Sequence, residues 1–372
     1  MAPPPSSPSW VILSRKACTG GSGLVLTEGA GVSLELAAPP RVTVLSMSPR
    51  VSPTKARFLA LDPSAGLVLL SAPSPADSDD KWPRYFVCDV AAATASRVPY
   101  PVNPGLNGDL GVITAPGGGG NYMVVEFQPT FGDDGEGGTI LLCFSSKIGR
   151  WVFIEVDNPL PNWYWIFDNV VSHDGKLWWV DTLKGLVFCD PFANEAGMEY
   201  VPLDPQPEDY EEHNRELANR RIVQLSDGKF RRVEMSPASN GAAPELSMRT
   251  LVDPETAEWT LEYAVSFADI WERESYKATE LPEKAPRLMG AFVHPKNPDV
   301  VYFFLEKQLL GVDLRARKVV EYEARVSSDE VLPWELPPAL SADLSPEGAA
   351  NGANGVPPES LASFPPSDPN GA

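Results

Sequence analysis

Short apolar runs separated by polar turns recur through most of the chain, and they recur in one arrangement. A β-rich run ends near an Asp or Ser, a short polar turn follows, and a second apolar run begins. The arrangement stands in residues 85–90 (YFVCDV) ahead of 97–100 (RVPY), and in 140–145 (ILLCFS) ahead of 151–154 (WVFI). It returns in 186–190 (LVFCD) ahead of 200–203 (YVPL), in 249–253 (RTLVD) ahead of 259–263 (WTLEY), and in 309–313 (LLGVD) ahead of 319–322 (VVEY). With Asp89, Ser145, Asp190, Asp253 and Asp313 taken as equivalent, the five units are 56, 45, 63 and 60 residues apart. A further strand precedes each unit, often through a turn, and the Asp-Gly pairs at 174–175 and 227–228 are hairpin signals because glycine tolerates positive φ at the second turn position. Three or four strands per repeat of this length is the pattern of a β-propeller. The expected fold is therefore all-β, an irregular β-propeller-like repeat domain. Residues 10–13, 32–36 and 41–45 would supply the remaining strands and help close the ring. A β-sandwich followed by a second β domain is the alternative, given the irregular spacing.

The two ends differ from this pattern. Of the 39 prolines among 372 residues, four fall in residues 1–9 and nine in 333–372. The C-terminal stretch has no Lys or Arg and is rich in Ala, Asn, Gly, Pro and Ser, too little apolar surface to offset the entropy of ordering. The expected organisation is a disordered N-terminus over 1–8, one β domain over 9–332 and a disordered tail over 333–372. Exposed loops are expected at 73–80, 116–120, 131–138 and 205–212.

Composition narrows the setting. The chain is 43% hydrophobic, enough for a large core, and its formal net charge is −20, which disfavours phosphate backbones and anionic lipid as partners. Four well-separated cysteines, Cys18, Cys88, Cys143 and Cys189, form neither a disulfide framework nor a metal knuckle. No secretory leader, Asn-x-Ser/Thr site or apolar stretch long enough for a membrane helix is evident. An intracellular protein of cytoplasm or nucleus is expected, not a secreted one.

Residues 178–191 (WWVDTLKGLVFCDP) resemble the signature of a grass-expanded family of plant proteins carrying domain of unknown function 1618. The similarity continues in order through 9–13, 85–89, 200–203, 225–230 and 259–271, so it spans most of residues 9–325. Its most specific part is the Trp-Val-Asp-x-x-x-Gly element from Trp179 to Gly185. The strand-to-Asp units are also similar to the associated domains of plant F-box proteins, but no F-box-like Leu-Pro helical segment precedes them, which argues against a ubiquitin-ligase adaptor. The family has no assigned activity, so the resemblance implies no reaction.

Candidate chemistry is sparse. His173, His213 and His294 sit in turn-like or acidic contexts and read as surface histidines. The segment Gly20-Gly-Ser-Gly-Leu lacks the last glycine of a nucleophile elbow, and the glycine run at 117–120 lacks the Lys-Ser/Thr of a phosphate loop. Asp133, Asp134 and Glu136 lack calcium-loop spacing. Cys88 and Cys189 each precede the unit Asp, so each reads as a small buried hydrophobe rather than a catalytic thiol. Asp181 is expected to cap the turn it enters and Gly185 to supply an unusual backbone angle; with Trp179, Cys189 and Asp190 these form the structural signature. Arg220, Arg221, Lys229, Arg231 and Arg232 make one basic cluster, which is expected to pair with neighbouring acids or to dock an acidic segment. Alternation over 163–167 places Trp163, Trp165 and Phe167 on one face of a strand. These rings, with Trp178 nearby, serve either as core between blades or as a stacking platform for a peptide or sugar ring.

Two functions from different classes remain. One is a non-enzymatic protein-interaction module whose acidic loops meet a basic partner surface; no cofactor and no metal are expected. The other is a hydrolase or carbohydrate-active enzyme with carboxylates such as Asp168 or Asp181 in a central channel. Two carboxylates about 5 to 10 Å apart in an aromatic-lined pocket would favour the enzyme.

Overall fold

The computed structural model describes residues 8–19, 30–52, 54–74, 82–100, 109–117, 119–131, 137–157, 159–160, 165–203, 217–236, 243–279, 281, 288–305, 307–324, 326 and 330–342. The chain opens with β1 (Trp10–Ser14) and β2 (Lys16–Thr19), one strand interrupted at Arg15, followed by β3 (Val32–Glu35) and β4 (Val42–Met47). Five four-stranded antiparallel meanders come next. They comprise β5 (Ala56–Asp62), β6 (Leu67–Ala72), β7 (Arg84–Asp89) and β8 (Thr94–Val98); then β9 (Leu110–Thr114), β10 (Tyr122–Phe131), β11 (Gly137–Ser145) and β12 (Arg150–Asp157). The third is β13 (Asn169–His173), β14 (Lys176–Asp181), β15 (Gly185–Cys189) and β16 (Met198–Pro202). The fourth is β17 (Arg221–Ser226), β18 (Lys229–Met235), β19 (Glu245–Asp253) and β20 (Glu258–Ser266), followed by two short helices, α1 (Phe267–Trp271) and α2 (Glu274–Lys277). The last is β21 (Met289–Val293), β22 (Val300–Leu305), β23 (Gln308–Asp313) and β24 (Lys318–Glu323), after which β25 (Val331–Glu335) and α3 (Pro338–Ala342) end the described chain.

The five strand-to-Asp units of the sequence are the third and fourth strands of these five meanders. In four of the five the polar residue has one local function. Asp89, Asp190, Asp253 and Asp313 each accept a main-chain N–H two or three residues on, from Ala92, Phe192, Glu255 and Ala316 respectively. Four residues after Asp89, Ser145, Asp253 and Asp313 the chain takes positive φ, at Ala93, Gly149, Ala257 and Arg317. A short polar side chain that closes an Asx turn ahead of a left-handed residue reverses the strand, which is why the sequence signal recurs. Both Asp-Gly pairs form two-residue turns with both residues at positive φ, as the hairpin reading requires.

A further blade, counted as the first because it holds β1, closes the ring from the two ends of the described chain, and the five meanders are then the second to sixth blades. β25 pairs antiparallel with β1 over five residues, from Trp10↔Glu335 to Ser14↔Val331, and β1 pairs with β4, so the order is β25-β1-β4-β3. Residues 10–13, 32–36 and 41–45 thus supply strands of the closing blade, as expected from the sequence. The expected domain boundary at 332 is corrected here. It cuts β25 in the middle, whereas Trp334 is 1% exposed and Leu336 is buried with it against Val11, Leu13 and Phe58. A Pro-rich composition hid this strand, because Pro333 sits in a short strand at one side of a blade where one missing N–H is tolerated. Residues 343–372, the rest of the expected tail, lie outside the described residues, as do residues 1–7.

The ring is irregular. β13 pairs in parallel with β5 through Val170↔Ala60 and Val171↔Leu61, although a whole blade separates them in sequence, and β9 packs against both. Three blades are consequently hydrogen-bonded into one 13-stranded sheet, while the other three stand as separate four-stranded sheets. The core is divided between blades. Trp179, fully buried, is surrounded by residues of the second, third and fourth blades, and Phe303 and Phe267 by residues of the fifth and sixth in sequence. Cys88 and Cys189 lie in different clusters, each as a small buried side chain, and Cys143 joins Cys189. Burial pushes the Cys88 and Cys143 thiols up to about 12 and raises that of Cys189, so all three behave as apolar groups at neutral pH.

Candidate functional site

The first strands of four meanders, β5, β13, β17 and β21, run with β25 around a cavity of about 220 Å³. Its walls are mostly apolar, with Phe58, Val170, Val223, Phe230, Phe292 and Trp334 among them. A second, more open cavity of about 330 Å³ sits where these strands begin, lined by Arg57, Asn219, Met289, Phe304 and Glu330. Arg15, Asp168, Ala291 and Val331 line both, so the two spaces meet at a neck made by these four residues.

Main-chain and side-chain bonds between blades hold the neck in place. Arg15 donates its N–H to Glu330 O and accepts from Phe58 N, so its backbone bridges β25 and β5. On the opposite wall the Gln224 amide accepts from Val293 N and donates to Val293 O, at 3.0 and 2.9 Å, and so replaces a missing β-bridge between β17 and β21. Asp62, 1% exposed, accepts from Thr114 N and Oγ1, both at 2.8 Å, and ties the second blade to the third.

The signature residues lie beside the cavity. Asp181 is 2% exposed and its carboxylate accepts from Leu183 N, Lys184 N and Ile166 N. Burial raises its pKa, and these three amides oppose the rise. Asp168 accepts from Thr182 N and Oγ1 at 2.9 and 2.7 Å, so the turn between β14 and β15 is capped from two sides. At Gly185 a Cβ would collide with the Val201 carbonyl and the Tyr200 ring. Close approach of β16, more than a special backbone angle, is what requires glycine there. Trp179 donates its indole N–H to Asp109 O at 2.9 Å, linking the fourth blade to the third. Cys189 and Asp190 are placed as described above.

The aromatic candidates divide. Trp178 is 4% exposed, stacked on Phe188 at 4.1 Å between the fourth and fifth blades; Trp165 is 7% exposed and lies edge-on to Tyr200. Both are core residues in this structure. Trp163 lies outside the described residues. The expected strand over 163–167 is not formed over its described part: residues 165–168 are irregular, although Trp165 and Phe167 still face each other and Ile166 is exposed.

Two expectations about charged groups are settled by packing. His294 is half-buried beside Trp10, and its Nδ1 accepts from Lys296 N and Asn297 N. Burial lowers its pKa to about 4, so it is a neutral turn cap and not a surface histidine. His173 is likewise partly buried, and burial lowers its pKa. His213 falls outside the described residues. Of the basic cluster, Arg221 and Arg232 both contact Glu234 at 2.7 Å, Arg249 joins them at 3.4 Å, and Arg231 lies 3.6 Å from Glu262. Arg221, Arg231 and Arg232 of the cluster therefore pair with acids in their own sheet.

The sequence reading missed Arg15, Glu330 and Asp109. Arg15 interrupts two apolar strands and could have been suspected on that ground, since a charge between buried strands needs a reason. Asp109 carries no local signal. It is partly buried, and burial, with Glu126 and Asp168 adding their charge, pushes its carboxyl up to about 7. Among the described residues no group of three or more His, Cys, Asp or Glu could hold a metal ion, and no helix is long and apolar enough to cross a membrane.

Comparison with solved structures returns distant likenesses. Apo AztD from Citrobacter koseri is 12% identical, with 76% of this chain and 63% of that one covered and a TM-score of 0.30. The chain thus spans less than two thirds of that protein. The WD40 domain of SCAP from fission yeast is 10% identical over 80% and 60% of the two chains, with a TM-score of 0.34. The β-propeller domain of Cps50 (Swd1) from Myceliophteria thermophila is 7% identical over 73% and 85%, with a TM-score of 0.29. No curated protein matches the sequence. The family model that does match begins at the Trp-Val-Asp element of the fourth blade and runs through the fifth blade into the last meander: residues 179–302 match the family described as protein of unknown function DUF1618.

Proposed function

We propose that the chain is a non-catalytic protein-interaction module of a plant protein in the cytoplasm or nucleus, and that its acidic loops meet a partner with a basic surface. One observation carries the non-catalytic reading. Of the carboxylates that could act in a central channel, Asp181 is committed to three main-chain amides and Asp168 to the Thr182 amide and hydroxyl. Both oxygens of Asp181 and Oδ2 of Asp168 hold the turn together, so either carboxylate takes up and releases a proton on those oxygens only by disturbing that turn, which disfavours general acid–base work.

The basic partner is supported by the net charge of −20 and by acids concentrated in sequence at residues 73–81, 131–138 and 205–214. Of these stretches, residues 75–81, 132–136 and 205–214 lie outside the described residues, and Phe131, Gly137 and Gly138 belong to the β10–β11 hairpin. Loops on a rigid scaffold are the usual carriers of recognition. The plant setting rests on the resemblance around Trp179 to Gly185, and the cytoplasm or nucleus, where thiols stay reduced, is supported by the three buried free thiols.

The test is affinity capture from plant tissue with the full chain at low and at high salt, alongside a variant with Glu208, Asp209, Glu211 and Glu212 changed to the amides. A partner should be retained at low salt, lost as the screening length falls below about 8 Å, and missing from the variant. Capture that is indifferent to both salt and the amide changes would refute the reading.

A further inference from the structure

The axial cavity is a small apolar chamber with a charged neck, and the chemistry of that neck is specific. Arg15 is partly buried there. Its side chain makes no hydrogen bond or ion pair among the described residues, although its backbone N–H and C=O are both bonded. The other charges at the neck and mouth are engaged. Glu330 is paired with Lys16 at 3.1 Å and with Arg57 at 3.8 Å, and Asp168 Oδ2 receives two donors from Thr182. Arg221, next along the wall, is held by Glu234 and by Leu183 O. Among the charged residues that line the two cavities, Arg15, Arg57 and Arg221 stand against Asp168, Asp227, Glu330 and Glu335, and Glu335 is paired with Lys296. Arg15 therefore keeps unused guanidinium donors at the neck, so an anion would be met there by that residue.

Burial and the nearby Arg57 charge pull the Arg15 pKa down, and Asp168 and Glu330 oppose them. Arg15 nevertheless stays charged at neutral pH, because a guanidinium does not deprotonate in proteins. A charged donor fork without a hydrogen-bond partner in a partly desolvated site is costly to leave unmatched, and a bidentate carboxylate is its geometric complement. Beyond the neck, Phe58, Phe230, Phe292 and Trp334 offer apolar walls, with Asp227 and Glu335 also on the lining. The chamber is too small for a peptide segment and, at about 30 Å³ per atom of liquid water, takes on the order of ten non-hydrogen atoms.

We propose that the axial cavity binds a small monocarboxylate with a compact apolar or aromatic body, its carboxylate at Arg15 and its body between the inner strands. The site is independent of the loops assigned to protein recognition, so either reading can stand without the other.

The test uses ligand-observed fluorine NMR on the full chain with three near-isosteric probes: 4-fluorobenzoate, 4-fluorobenzyl alcohol and 4-fluorobenzylammonium. The anion should bind saturably, about ten-fold or more tighter than the alcohol, and the ammonium should not bind, a difference of the size expected for one charge-assisted pair. Arg15→Gln should reduce the anion to the affinity of the alcohol. Ala291→Phe, which fills the neck, should abolish binding of both, with circular dichroism confirming that each variant is folded. Should Arg15→Gln fail to fold, the ranking of the three probes on the unaltered chain decides. No saturable binding of 4-fluorobenzoate up to about 10 mM, tighter binding of the ammonium, or a folded Arg15→Gln chain with unchanged preference would overturn the proposal.

Discussion

Removing β25 should unfold the protein, although composition alone marks everything after residue 332 as dispensable. Two truncations separate the possibilities: one chain ending at Ala342 and one ending at Glu330. The shorter chain loses the five-residue ladder between β25 and β1. It also loses Val331, Leu332, Trp334 and Leu336, which are 8%, 6%, 1% and 4% exposed. At roughly 1.5–3 kcal/mol per buried apolar side chain, the four represent about 6–12 kcal/mol, as large as the ~5–15 kcal/mol by which a domain is stable at all. Uncovering the other face of β1, with Val11, Ile12 and Leu13 all fully buried, adds to the loss. Point substitutions grade the effect. Trp334→Ala should cost ~3–5 kcal/mol. Trp334→Phe should cost much less, about 1 kcal/mol, because the indole Nε1 has no hydrogen-bond partner among the described residues. Urea unfolding followed by far-ultraviolet circular dichroism reads all four chains. The chain ending at Ala342 should keep the parent midpoint, and the chain ending at Glu330 should show no cooperative transition. A Glu330-ended chain with the parent midpoint would show that β25 does not close the ring.

Two further outcomes follow from buried groups. The raised carboxyl of Asp109, at about 7, lies above its unfolded value, so the folded state holds the proton longer and loses stability as pH climbs from about 4 to 7. The full penalty, at most ~4 kcal/mol, applies above pH 7. Asp109→Asn should therefore stabilise the protein, with the gain growing by ~2–3 kcal/mol between pH 5 and pH 8; a gain that is the same at both pH values would exclude an ionisation effect. Gly185→Ala should lower stability by ~1–3 kcal/mol, because β16 must shift to admit the new Cβ. Gly197→Ala, where a Cβ meets nothing, is the control, and equal losses from both would remove the close-approach explanation.

Local chemistry made much of the blade structure legible. The strand-Asp-turn-strand unit is a short-range device, since the carboxylate bonds an amide two or three residues ahead and the chain reverses within four. Five copies could be read directly, and so could the two Asp-Gly hairpins. The short-range nature of these bonds also explains the failure at residues 333–336: a strand held only by a partner over 300 positions away has no local signature beyond two apolar residues among prolines.

What tertiary structure decided lies between blades. Six blades, and not another number, result from pairing β25 with β1. The parallel β5–β13 contact, which the repeat spacing does not encode, draws three blades into one sheet. Arg15, Asp109 and Glu330 acquire their character only there, because a guanidinium or carboxyl changes its energetics through desolvation and through charges brought near by remote strands. The same holds for Trp178 and Trp165, whose spacing is compatible with an exposed platform but which the packing of neighbouring blades encloses. Sequence determines which segments can be strands and how they turn; the order in which those strands meet determines which polar groups are left facing a cavity.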